Sequence, residues 1–97
     1  MKLFLPKEFT INGQKIKVKY DNSLHECMGE SNSELNYIKI KNQYDGHPYP
    51  IEQMFRTLLH ELLHLMYYKM GFSATAKNEE FIEGSAGILL EILKTMK

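Results

Sequence analysis

From Ile51 to Met70 the apolar residues Ile51, Met54, Phe55, Leu58, Leu62, Leu65 and Met66 recur at helical spacing, which predicts a long and largely buried helix. Lys69 in its last turn and Gly71 just beyond mark its C-terminal end. The second half of this helix carries His60-Glu61-Leu62-Leu63-His64, the pattern H-E-x-x-H. Residues i and i+4 share one helix face, so both imidazoles can reach one metal ion while Glu61 reaches a water beside it. Buried imidazoles and a buried carboxylate need partners, and a metal answers all three at once. The bland alternative, two surface histidines around a solvated glutamate, fits poorly with so apolar a helix.

A chain of 97 residues makes one domain and buries only about two-thirds of its unfolded surface, so a bound metal would add usefully to its stability. An apolar content of 43% with 25% charged residues is that of a globular domain. Twelve basic and twelve acidic residues cancel and are spread evenly, which argues against nucleic acid or anionic membrane as partners. The apolar stretch before Pro6 and Lys7 is too short for a secretory signal, and no segment has membrane-spanning length. Cys27 is the single cysteine, so no internal disulfide framework exists and a cytoplasmic location is expected.

Ahead of the helix, Asn12-Gly13 is the favoured two-residue turn of a β-hairpin over residues 8 to 20. Pairing across it places Phe9, Ile11, Ile16, Val18 and Tyr20 on one face, with Thr10, Lys15, Lys17 and Lys19 on the other. Residues 21 to 34 are polar and turn-rich and read as loop. A third strand is expected at about 35 to 41, where Ile38 and Ile40 alternate with Tyr37, Lys39 and Lys41, and its lysines suit an exposed edge. The segment from Asp45 to Pro50 reads as a rigid connector, with Pro50 at a first helical position. After a short connection over 72 to 77, Asn78 is a good N-cap for a second helix that starts with Glu79 and Glu80. That helix carries Phe81, Ile82, Ile88, Leu89, Ile92 and Leu93.

A catalytic zinc takes three protein ligands and leaves a fourth position open. The metzincin spacing is excluded, because Tyr67 stands where that pattern requires glycine and Met70 where it requires the third ligand. The remaining candidates are Glu79, Glu80 and Glu83. Glu79 and Glu80 are already explained as first-turn helix charges. Glu83 lies one turn further in, beside Gly84, Ser85, Ala86 and Gly87, whose size permits close helix approach, so Glu83 is the expected ligand with Glu79 as the alternative. Tyr67 and Tyr68 are candidates for stabilising an oxyanion, although amphipathic packing is their commoner role. His47 reads as a solvated loop histidine, His25 and Cys27 as incidental, and Phe55, Phe72 and Phe81 as core.

The run Thr57-Leu58-Leu59-His60-Glu61-Leu62-Leu63-His64, with Gly71 and Asn78-Glu79-Glu80-Phe81-Ile82-Glu83, resembles the small gluzincin-type metallopeptidases of bacteria, phages and mobile elements, including the ImmA/IrrE group. The resemblance is sharp over 54 to 71, fair over 78 to 93 and architectural before that. It implies a minimal zincin-like α+β fold, with about three antiparallel strands on a long active-site helix and a second, C-terminal helix beside it. It further implies Zn²⁺ held by His60, His64 and Glu83, the last followed by Gly84 where the family usually has alanine. Glu61 would be the general base of peptide-bond hydrolysis, and the third strand an edge onto which an extended or unfolded polypeptide substrate adds. The alternative is a non-catalytic, metal-stabilised interaction or regulatory protein, against which an intact Glu61 argues.

Overall fold

The computed structural model describes residues 2–24 and 27–97. Its first hairpin joins β1 (Glu8–Ile11) to β2 (Gln14–Tyr20) through Asn12 and Gly13, whose φ values of 50° and 77° are those of a type I′ turn. Phe9 pairs with Ile16 across it, and Ile16 and Val18 are buried in the core. Tyr20 has the same parity but is exposed.

The polar segment expected to be loop contains a strand, β3 (Gly29–Asn32), which pairs antiparallel with β4 (Tyr37–Ile40). Asn32 turns the chain between them, its side chain accepting from the backbone N–H groups of Glu34 and Leu35. β4 also pairs with β2, in parallel. The sheet is therefore mixed and four-stranded, in the order β1-β2-β4-β3, not three antiparallel strands. β4 is accordingly an inner strand, and the edge beside the long helix belongs to β3. Ile38 and Ile40 are fully buried from β4, which explains why it is central despite Lys39 and Lys41. The connector before the helix is itself a small hairpin, β5 (Gln43–Tyr44) and β6 (His47–Pro48), turned at Asp45 and Gly46 with φ of 50° and 81°.

Three helices follow, α1 (Ile51–Lys69), the single turn α2 (Ser73–Ala76) and α3 (Glu79–Thr95). Pro50 is the N-cap of α1, one residue earlier than expected. Its C-terminus closes in a Schellman arrangement, Gly71 N–H donating to the Tyr68 carbonyl and Phe72 N–H to that of Tyr67, with Gly71 at φ +85°. α2 then brings the chain round, and Asn78 caps α3 by accepting from Phe81 N–H.

The core lies between the inner face of the sheet and the helices, built from Ile16, Ile38 and Ile40, from Phe55, Leu58, Leu59, Leu63 and Leu65 of α1, and from Ile82, Ala86 and Leu90 of α3. Phe72 and Phe81, expected in the core with Phe55, are instead 54% and 43% exposed. Phe72 stands past the helix-ending turn. Phe81 lies on the flank of α3, where it meets the Tyr67 ring edge-on at 5.5 Å. Ile51, Ile88 and Ile92 are also exposed. No helix among the described residues is long and apolar enough to cross a membrane.

Candidate metal centre

Packing of Ile82, Ala86 and Leu90 into the core sets the rotation of α3 about its axis and turns Glu79 and Glu83, one helical turn apart, toward α1. The two helices run antiparallel, so residues spaced by four on each form a ladder. His64 meets Glu79, and His60 lies between Glu79 and Glu83. Arg56 reaches Glu83 and Gly87.

Glu79 bridges the two rings, one oxygen 3.1 Å from His60 Nε2 and the other 3.1 Å from His64 Nε2. The two Nε2 atoms are 3.2 Å apart. Each Nδ1 faces an acceptor, Glu83 Oε2 at 2.7 Å from His60 and the Ala76 carbonyl at 2.5 Å from His64. Neutral rings that donate from Nδ1 therefore turn two Nε2 lone pairs and a carboxylate onto one point. One donor atom from each of these three residues lies within 4.8 Å of the others, and a cation at their centre would satisfy them together. Two imidazoles and a carboxylate are a donor set that suits a divalent metal ion, zinc being one of several.

Glu83, the expected ligand, lies on the Nδ1 side of the His60 ring, and Glu79, the alternative, is the carboxylate beside both Nε2 atoms. Both carboxylates face His60 because they are i, i+4 neighbours; the position of the helix start along α1 decides which of them meets Nε2. Glu83 is held by Arg56, whose Nε and Nη2 donate to its Oε1 at 2.9 and 2.7 Å. Burial pulls the Glu83 carboxyl upward, but the bonds from Arg56 and His60 outweigh it and hold the group below the usual carboxylate range.

Glu61 is buried, the only charged or polar residue so placed among the described residues. Burial pushes its carboxyl above the usual range, and the Glu79 charge adds to this; the neighbouring His60 and His64 and a hydrogen bond from Ser31 act the other way. Ser31 and Gly29 point from β3 toward α1, and Gly29 is what lets the strand lie so close. A Cβ there would stand 2.7 Å from Thr57 Cγ2, 2.9 Å from the Lys39 carbonyl oxygen and 3.3 Å from Glu61 Cγ. Between strand and helix runs an open groove of about 330 Å³, lined by Cys27, Met28 and Gly29 on one side and by Gln53, Arg56, Thr57, His60 and Glu61 on the other, with Glu83 at its α3 wall.

The remaining candidates stand apart from this cluster. Tyr67 packs on Phe81 and Tyr68 is exposed, and neither lines the groove. His47 is exposed in the β5–β6 hairpin. Cys27 is exposed at the groove wall, and His25 lies outside the described residues. Four contributors escaped the sequence reading: Ser31, Gly29, Arg56 and the Ala76 carbonyl. Only Arg56 left a signal, standing one turn before His60 on the same helix face. The others depend on a strand hidden in a polar segment and on a backbone oxygen.

No family model matches the chain, and no curated protein or solved structure is similar enough to it to count as a match. What fold and site define by themselves is an α+β protein whose groove ends at a cluster of two histidines and a glutamate.

Proposed function

We propose that the chain is a zinc-dependent metallopeptidase of the minimal zincin type, with His60, His64 and Glu79 as metal ligands and Glu61 as general base. The observation that carries this reading is the convergence of both Nε2 atoms and the Glu79 carboxylate, with both Nδ1 atoms turned outward onto acceptors. Ligating histidines commonly donate their second nitrogen in this way, which fixes tautomer and ring direction. Glu83 and the Ala76 carbonyl fill that role for His60 and His64.

Bound there, zinc supplies Lewis-acid polarisation of a scissile carbonyl and acidifies a water to a pKa of about 7. Glu61, one residue from the first ligand and hydrogen-bonded by Ser31, is the group that would accept a proton from an attacking water there. On cleavage of the C–N bond the same carboxyl would return that proton to the leaving amine. The outer edge of β3 bears no further strand among the described residues, and it borders the groove. An extended polypeptide adding along that edge would be held by backbone hydrogen bonds and led past Glu61. So open a groove favours unfolded or locally extended substrate over compact proteins.

Zinc content and cleavage of an unfolded casein-like substrate, measured on wild type, Glu79→Gln and Glu61→Gln, test the proposal. About one zinc per chain is expected in wild type and Glu61→Gln but not in Glu79→Gln, with cleavage in wild type alone. Zinc with no cleavage by wild type would favour instead a metal-stabilised interaction protein, and absence of zinc from all three would end the metal reading.

A further inference from the structure

We infer that Arg56 is a positioning residue for the metal centre: seated across Gly87, it locks Glu83 against His60 Nδ1 and so fixes the direction of His60 Nε2. The inference rests on the proposal that His60, His64 and Glu79 hold the metal.

Three observations carry it. First, Arg56, His60 and His64 are spaced by four along α1, facing Gly87, Glu83 and Glu79 spaced by four along the antiparallel α3. The ladder that gathers the ligands therefore ends at Arg56. Second, Arg56 grips one oxygen of Glu83 through two nitrogens, leaving the other oxygen, 2.7 Å from His60 Nδ1, as the only one free for the ring. A guanidinium holds a carboxylate in a set direction, which a flexible ammonium does not. Third, the guanidinium lies closely over residue 87, which has no side chain: a Cβ there would be 3.3 Å from Nη2 and 3.7 Å from Cζ, tight enough that the guanidinium would have to shift. Gly84, directly after Glu83, differs in this respect, since a Cβ there would meet nothing within 4 Å.

The Arg56 and Glu83 side chains are 47% and 50% exposed. Exposed ion pairs contribute little to stability, so this pair has small value as a mere tie between helices. Its leverage is on the ring. Without Arg56 the Glu83 carboxylate can swing into the groove, His60 can rotate about its side-chain torsions, and the Nε2 lone pair no longer has one direction. Arg56 also lines the groove, so a direct contact with substrate is the rival account, and it predicts no effect on metal binding in substrate's absence.

The experiment is zinc affinity without substrate, by competition with a chromophoric chelator, on the full chain as wild type, Arg56→Gln, Arg56→Lys, Gly87→Val, Glu83→Gln and the Arg56→Gln/Glu83→Gln double variant. Melting of each metal-free form is followed alongside. Loss of an outer partner of a ligating histidine typically weakens metal binding about 10–100-fold, and a loss of that order is expected for Arg56→Gln and Gly87→Val with nearly unchanged metal-free melting. Arg56→Lys should fall between them and wild type, and the double variant should bind as Glu83→Gln does. Gly87→Val keeps the charge and displaces it, and it decides the matter should Arg56→Gln fail to fold. Wild-type affinity in Arg56→Gln or Gly87→Val would overturn the inference, as would an Arg56→Gln loss undiminished in the Glu83→Gln background. Failure of wild type itself to bind zinc would remove the proposed function and the inference together, a result distinct from either.

Discussion

Gly29→Ala tests the idea that the groove exists because β3 is pressed onto α1 at a residue without a side chain. The new Cβ would lie 2.7 Å from Thr57 Cγ2 and 2.9 Å from the Lys39 carbonyl oxygen, against the roughly 3.5–4.0 Å of an ordinary carbon contact. Thr57 is β-branched on a helix and stiff, and the Lys39 oxygen belongs to the backbone, so neither neighbour yields cheaply. Overpacking of this kind costs about 1–3 kcal/mol, and two overlaps beyond half an ångström suggest about 2. Replacing glycine restricts the unfolded chain and returns roughly 0.7 kcal/mol. The net, about 1.3 kcal/mol, lowers the melting temperature of a domain this size by about 5–10 °C. Circular-dichroism melts of metal-free wild type, Gly29→Ala, Thr57→Ser and the double variant would measure it. Thr57→Ser deletes the clashing methyl and should restore about half of the loss, the Lys39 oxygen keeping the rest. A Gly29→Ala chain that melts with wild type, or strictly additive effects of the two changes, would refute the reasoning.

Ser31→Ala should retain zinc but cleave unfolded substrate roughly tenfold more slowly, because the donor that orients Glu61 is gone; an unchanged rate would show that Glu61 is held by packing alone. Asn78→Ala removes the acceptor for Phe81 N–H and should cost about 1 kcal/mol, or about 4–8 °C, with weaker zinc binding because Glu79 is the next residue; an unshifted melt would leave the cap without consequence. The Glu61 carboxyl is raised by burial in the folded chain, so its contribution is most favourable below its unfolded-state range near pH 4 and is lost as pH rises through the raised value. Metal-free Glu61→Gln should therefore melt above metal-free wild type at about pH 8, the difference shrinking toward about pH 4, and a variant melting below wild type at pH 8 would contradict this sign.

Much of the local structure was legible because it depends on short-range chemistry. Asn12-Gly13 called for a type I′ hairpin and Gly71 for a left-handed helix end, while the oxygen of Asn78 suited an N-cap; each element formed at those residues. The place of His60, Glu61 and His64 on one buried helix followed from their spacing. β3 was not legible, since Gly29-Glu30-Ser31-Asn32 has neither apolar alternation nor β-branched residues. It is a strand because β4 offers it a ladder and α1 covers its inner side. The sequence likewise overstated the core at Phe81, which shares α3 with core residues but lies on its outer flank, as Ile88 and Ile92 do.

The chemistry was in the sequence and its geometry was in the packing. Two histidines four apart, a glutamate between them and three glutamates at the start of the next helix define which groups can meet, because helical periodicity puts the histidines together wherever the helix lies. Whether Glu79 or Glu83 faces their Nε2 atoms is a different matter. It depends on how far along α1 the turn through Gly71 and Ala76 sets the start of α3, and on how Ile82, Ala86 and Leu90 rotate that helix against the core. A shift of one turn would bring Glu83 to where Glu79 stands and Gly87 to where Glu83 stands. Only the sum of tertiary contacts settles that Glu79 joins the histidines while Glu83, gripped by Arg56, stands behind one of them.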